Sequence, residues 1–133
     1  TADNIPFRIN TNNTERVRIT NGGDLKFNSG FGSVGTAYGV RAWINFDGTG
    51  TIAITDSGNV SSITDSGTGL YQINFAANMP DANYATAGSA NDNAALVTTF
   101  QGTTSASTAR LFVSISVNGA AADFSRVAAI FTR

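Results

Sequence analysis

The sequence predicts an all-β protein: an antiparallel β-sandwich, jelly-roll-like, preceded by a short N-terminal β-stranded segment. Three observations carry this. Short runs alternate apolar and polar residues at period two, Asn/Asp/Gly turn sequences separate them, and the only stretch that also fits a helical face is the C-terminal DFSRVAAIFTR. The boundary between segment and sandwich is predicted at SGFGSVG, giving 1–35 and 36–133.

The N-terminal segment reads IPFRI, NTNNT, ERVRI, TNGG, DLKFN: three strands of about five residues between Asn/Gly turns. Ile5, Phe7, Ile9, Val17, Ile19, Leu25 and Phe27 fall on one face, and Arg8, Arg16, Arg18 and Lys26 on the other. Three short strands alone are barely stable in water, so the apolar face needs cover, either from the later domain or from identical strands of neighbouring chains. The basic face is read as solvated.

The sandwich is predicted to open at VRAWINF, with Val40, Ala42, Ile44 and Phe46 on one face and Arg41, Trp43 and Asn45 on the other. DGTG turns into TIAIT as a hairpin, NVSSITDSGTG adds a strand, and LYQINF follows with Tyr71, Ile73 and Phe75 inward, so the middle of the chain reads as an antiparallel meander. ANMPDANYATAGSANDNAA is a long connection in which Tyr84 to Ala87 form a short strand. ALVTTF, ARLFVSISV and the C-terminal run complete seven or eight strands. The last is read as a strand with Val127, Ala129 and Phe131 inward, because the Asn118-Gly119 turn before it is a hairpin signal.

Composition narrows function. With 133 residues the chain buries roughly two-thirds of its unfolded surface, enough for one core. It has no cysteine and no histidine, which excludes disulfides, cysteine nucleophiles, Ser-His-Asp triads and the usual zinc sites. No cofactor is expected. Charged residues are 13% and the net charge is −1, so neither a nucleic-acid footprint nor a membrane-binding basic face is present. No apolar run approaches the ~20 residues that span a bilayer, and no membrane insertion is expected. A surface of Ser, Thr, Asn and Gln suits an extracellular or virion module. The start at Thr1 reads as that of a fragment or processed piece, with the missing part upstream.

Two stretches resemble known virion proteins. IPFRINTNNTERVRITNGGDLKF is similar to a segment common in bacteriophage tail fibres, and VRAWINFDGTGTIAITDSGNVSSITDSGTGLYQINFAANMPDANY, with the closing DFSRVAAIF, resembles a module of structural proteins in phages of cyanobacteria and marine bacteria. The resemblance implies the C-terminal, receptor-binding tip domain of a tail fibre or spike: homotrimeric, non-catalytic, joined to an upstream fibre segment and displayed at the virion surface for host attachment. The 1–35 segment then becomes a shaft or trimerisation element, with Ile5, Phe7, Ile9, Val17, Ile19, Leu25 and Phe27 as interface candidates. The alternatives are a purely structural trimerisation or capsid-decorating module, and a host-glycan depolymerase. Asp56, Asp65 and Asp92 are read as turn residues rather than calcium ligands or glycosidase carboxylates. Receptor candidates on the two longest polar connections are Asn83, Tyr84, Asn91, Asp92, Asn93, Gln101, Thr103 and Thr104, whose amides and hydroxyls beside an aromatic suit a neutral cell-surface glycan. Trp43 is assigned to the core or a subunit interface.

Overall fold

A computed structural model describes residues 5–28, 34–90, 96–99, 105–115 and 120–133, without the side chains of 96–99 and 115. Among the described residues the chain is all β and divides into two units, Thr1–Tyr38 and Gly39–Arg133.

The first unit is a four-stranded antiparallel sheet in the order β1 (Phe7–Thr11), β2 (Thr14–Ile19), β3 (Leu25–Phe27), β4 (Gly35–Thr36). Asn12 and Asn13 join β1 to β2 with φ of 50° and 58°, the mirror-turn geometry that matches strand twist and that Asn tolerates. The register sets Phe7 opposite Ile19 and Ile19 opposite Leu25, then Ile9 opposite Val17 and Val17 opposite Phe27. Two apolar rows therefore cross three strands on one face, as the alternation predicts. Because β4 pairs with β3, residues 35 and 36 belong to this unit, which moves the division from 35/36 to after Tyr38.

Its other face carries Arg8, Arg18 and Lys26 in one row. A bulge in the β1–β2 ladder leaves Arg16 out of register, where its Nε donates to Thr11 Oγ1 at 2.9 Å. The slip also swings Glu15 onto the basic face, its Oε2 lying 2.8 Å from Arg18 Nη2 and 3.5 Å from Arg8 Nε. The hydrogen bond from Arg18 holds the Glu15 carboxyl below its ordinary value, against the opposing effect of desolvation.

The second unit is a sandwich of two four-stranded antiparallel sheets. One has the order β6 (Ala53–Gly58), β5 (Val40–Asp47), β12 (Val127–Thr132), β9 (Ala85–Ala90). The other has the order β10 (Leu96–Thr99), β11 (Thr108–Ile115), β8 (Leu70–Phe75), β7 (Val60–Gly67). No ladder joins the two sheets among the described residues, which makes the unit a sandwich rather than a closed barrel. The expected meander is corrected here: β5–β6 and β7–β8 are hairpins of different sheets. The expected hairpin into the last strand is corrected too, since β12 inserts between β5 and β9 and does not pair with β11.

The four central strands make the core. Ala42, Ile44 and Phe46 of β5 and Val127, Ala129 and Phe131 of β12 face Tyr71, Ile73 and Phe75 of β8 and Ala109, Leu111 and Val113 of β11; all are buried, with Met79 and Phe124. Phe46 meets Tyr71 edge-on at 4.9 Å between ring centres, and Phe131 meets Phe75 at 5.1 Å, so two aromatic pairs lock one sheet to the other. Val40 departs from expectation and is exposed. A bulge between Phe131 and Thr132 interrupts the ladder there, so alternation does not carry to the strand's first residue.

Two polar devices close the sandwich. Asn59, at φ 57°, turns the chain from β6 into β7; its Nδ2 donates to the carbonyls of Arg41 (3.1 Å) and Ala77 (3.0 Å) and its Oδ1 accepts from Ala77 N–H at 2.7 Å. The sequence Asp-Ser-Gly before it, expected as a turn, instead continues β6, because the corner falls on Asn59. Asp123 Oδ1 accepts from both Tyr71 OH and Gly69 N–H at 2.7 Å. Burial, then Asp123, pushes the Tyr71 phenol well above its ordinary value. Gly39 and Arg133 exchange backbone hydrogen bonds of 3.2 and 3.1 Å, so the first and last residues of this unit are neighbours.

Asn59→Ala is expected to lower unfolding free energy by about 2–4 kcal/mol, from lost hydrogen bonds and a strained left-handed Cβ. Asn59→Gly should recover the backbone part, and urea titration of both variants measures the split. Acid should loosen the N-terminal sheet through Glu15. The Glu15 pairing contributes fully above its ordinary value of 4.5 and is lost as pH falls through its depressed folded value. Amide exchange in β1 and β2 should rise over that window, and Glu15→Gln should abolish the dependence.

Candidate functional site

Among the described residues the acidic side chains of the sandwich accept mostly from nearby backbone N–H groups. Asp47 accepts from Thr49 N–H (2.8 Å) and Oγ1 (2.6 Å), which holds its carboxyl below the ordinary value through the Thr49 hydroxyl first and its N–H second. Asp56 accepts from Ser57 N–H, Asp65 from Gly67 N–H and Asp81 from Asn83 N–H, each a short local bond. Among the described residues no group of three or more acidic side chains gathers into a metal-binding cluster, and no helix is long and apolar enough to cross a membrane.

Of the receptor candidates, Asn91, Asp92, Asn93, Gln101, Thr103 and Thr104 lie outside the described residues. Asn83 is exposed, but its backbone is fixed on both sides: its N–H donates to Asp81 Oδ1 at 2.7 Å and its carbonyl accepts from the Arg133 guanidinium. Arg133 also pairs with Asp81, so the C-terminal residue clamps this turn. Tyr84 is half-buried, its hydroxyl donating to Thr108 C=O at 2.8 Å and its ring edge-on to Phe75 (5.7 Å) and Phe131 (6.1 Å). It seals the core at this end. The expected long loop is shortened by β9, whose strand runs from Ala85 to Ala90. Six of the seven interface candidates stand together on the first unit's apolar face, with Phe7, Ile9, Ile19, Leu25 and Phe27 exposed and Val17 half-buried; Ile5, also exposed, precedes β1.

Trp43 is not a core residue. It keeps 38% of its surface exposed on the outer face of the β6-β5-β12-β9 sheet. The alternation of VRAWINF directs it there, opposite Ala42, Ile44 and Phe46. Its place is fixed by Gly58 across the β5–β6 ladder: a Cβ built on Gly58 would lie 2.3 Å from the indole Nε1 and 2.8 Å from Cδ1. The five-membered ring thus occupies the space above a glycine backbone. On the other side Trp43 is opposite Ile130, exposed at 43%, and Ile130 is opposite Ala87. The next outward row is Asp56, Asn45, Ala128 and Ser89. Where the rows end on small residues, Ala87, Gly88, Ser89, Ala128, Ala129 and Ile130 line an open depression of about 280 Å³.

The outer face of the second sheet is different. Gln72 Nε2 donates to Asn74 Oδ1 at 3.0 Å, and Asn74 Nδ2 donates to Ser62 Oγ (2.9 Å) and Thr64 Oγ1 (3.2 Å), a closed amide–hydroxyl network across β7 and β8. Ile130 and the depression were not anticipated from sequence, although the strict alternation of VAAIFT already places Ile130 outward.

Comparison of the chain with protein-family models, curated proteins and solved structures gives no significant match.

Because Trp43 lies outside the core, Trp43→Ala is expected to cost about 1–2 kcal/mol in thermal or urea unfolding, less than the roughly 3–5 kcal/mol of a core aromatic. Acrylamide should quench its emission readily. A core-sized loss with blue-shifted, shielded emission would return Trp43 to the interior.

Proposed function

We propose that the chain is the tip module of a bacteriophage tail fibre or spike, a homotrimer that attaches the virion to a host-surface glycan without catalysis. The observation that carries this reading is the first unit's apolar face. Phe7, Ile9, Ile19, Leu25 and Phe27, each 45–60% exposed, form a contiguous surface on a sheet too small to hide it, with Ile5, 75% exposed, just before β1. Three copies meeting through these rows would remove them from water, and at about 25 cal/mol per Å² the gain is several kcal/mol per chain. The upstream fibre would lead into that sheet.

The sandwich supports the attachment half of the reading. Its rigid core and clamped Asn83 turn offer fixed surfaces, and weak net charge favours recognition by hydrogen bonding and stacking over electrostatic capture. Modest affinity per site would be raised by threefold display. The acidic side chains described in the sandwich accept hydrogen bonds from this chain's own N–H and hydroxyl groups, which speaks for binding over glycoside hydrolysis by a facing carboxylate pair.

Light scattering is expected to give a trimer at micromolar concentration, and Phe7→Lys/Ile19→Lys to give monomers with an intact sandwich. The wild-type trimer should adsorb to host cells, with little sensitivity to salt, and the monomeric variant should adsorb far more weakly. A wild-type monomer rejects the assembly. A trimer that adsorbs to no host cell leaves the structural or capsid-decorating reading.

A further inference from the structure

We infer that the outer face of the β6-β5-β12-β9 sheet is a saccharide-binding platform, with Trp43 stacking on one neutral sugar ring whose hydroxyls bond Asn45 and Asp56, while the depression at Ser89, two to three strands away, takes the next ring or an arm of the ligand. This deepens the attachment reading and rests on it, but places recognition on a sheet face rather than on the connections expected from sequence.

The first ground is preorganisation. An exposed indole on a strand ordinarily samples several rotamers, and ordering it opposes binding. Here the ring is seated over Gly58, the one residue type that leaves it room, so one π-face is presented before any ligand arrives. The second ground is the matched pair of rows. Gly58, Trp43, Ile130 and Ala87 form an apolar row, and beside it Asp56, Asn45, Ala128 and Ser89 supply carboxylate, amide and hydroxyl groups. A pyranose needs that combination: axial C–H groups lie on an aromatic face while hydroxyls at the ring edge find acceptors and donors. The depression beside Ile130, about 280 Å³, is at or below the low end of pockets for drug-sized ligands and suits a single ring or its N-acetyl arm.

Charge and area argue against other occupants. The two rows carry Asp56 and no cation, which favours a neutral ring on them, while Arg41, exposed on the same face two residues before Trp43, stands just outside. The exposed large apolar side chains of this sheet, Trp43 and Ile130 with Val40 and Ile54, still fall well short of the roughly 800 Å² per partner of a stable protein interface.

The test titrates the full chain with glucose, galactose, mannose, N-acetylglucosamine and their β-linked disaccharides, reading Trp43 emission and amide shifts of β5, β9 and β12. At least one sugar should shift the emission and move these amides together. Trp43→Ala should weaken binding about tenfold. Ala87→Arg, which fills the depression from an exposed position, should weaken it comparably with unchanged melting, so that a folding defect at Trp43 does not decide the outcome. Host adsorption of both variants is measured in parallel. No response to any sugar overturns the platform. So does adsorption undiminished in both variants, which leaves the attachment reading standing with recognition elsewhere. Self-association lost in both variants identifies a second copy as the occupant and overturns it as well. Sugar binding in a protein that adsorbs to no host cell upholds the platform while rejecting attachment.

Discussion

The sandwich depends on the contact between two strand pairs, β5 with β12 and β8 with β11. Their inward side chains are the core, and the edge-to-face pairs Phe46–Tyr71 and Phe131–Phe75 tie the layers at separate points along β8. The flanking strands attach to a slab that already exists. The ends are then closed by polar groups: Asn59 at the β6–β7 corner, whose partners are all backbone, and Asp123, which accepts from Gly69 N–H and the Tyr71 hydroxyl. Each places its hydrogen bonds where a corner strands backbone groups without a ladder partner. Apolar faces choose the architecture, and a few amides and carboxylates fix where the chain turns.

Much of the fold was legible because period two reports which face a residue occupies. Tyr71, Ile73 and Phe75, and Val127, Ala129 and Phe131, were placed inward from alternation alone, and the last run resolved as a strand despite its partial helical match. Alternation says nothing about which strand lies alongside. Sheet membership was therefore misjudged at the supposed meander and at β12, whose partners β5 and β9 are remote in sequence. Bulges caused the smaller errors, freeing Val40 and leaving Arg16 out of the basic row.

The candidate site was less legible, for a reason visible at Trp43. Its parity pointed outward, but its hydrophobicity suggested burial, and parity prevailed because Gly58 offers the ring a seat on the surface. A seat formed by a residue on the neighbouring strand has no local signature. Tyr84, a receptor candidate on a polar connection, is half-buried, its ring packed against Phe75 and Phe131.

The reciprocal hydrogen bonds between Gly39 and Arg133 make the sandwich a closed circuit, since its entry and exit touch. Such a unit needs almost no linker to be spliced between two residues of a host loop, because the host's ends are held as close as a turn would hold them. The fold is in that sense a cassette. A body with such neighbouring ends could be carried between host loops of unrelated proteins while its outer faces diverge.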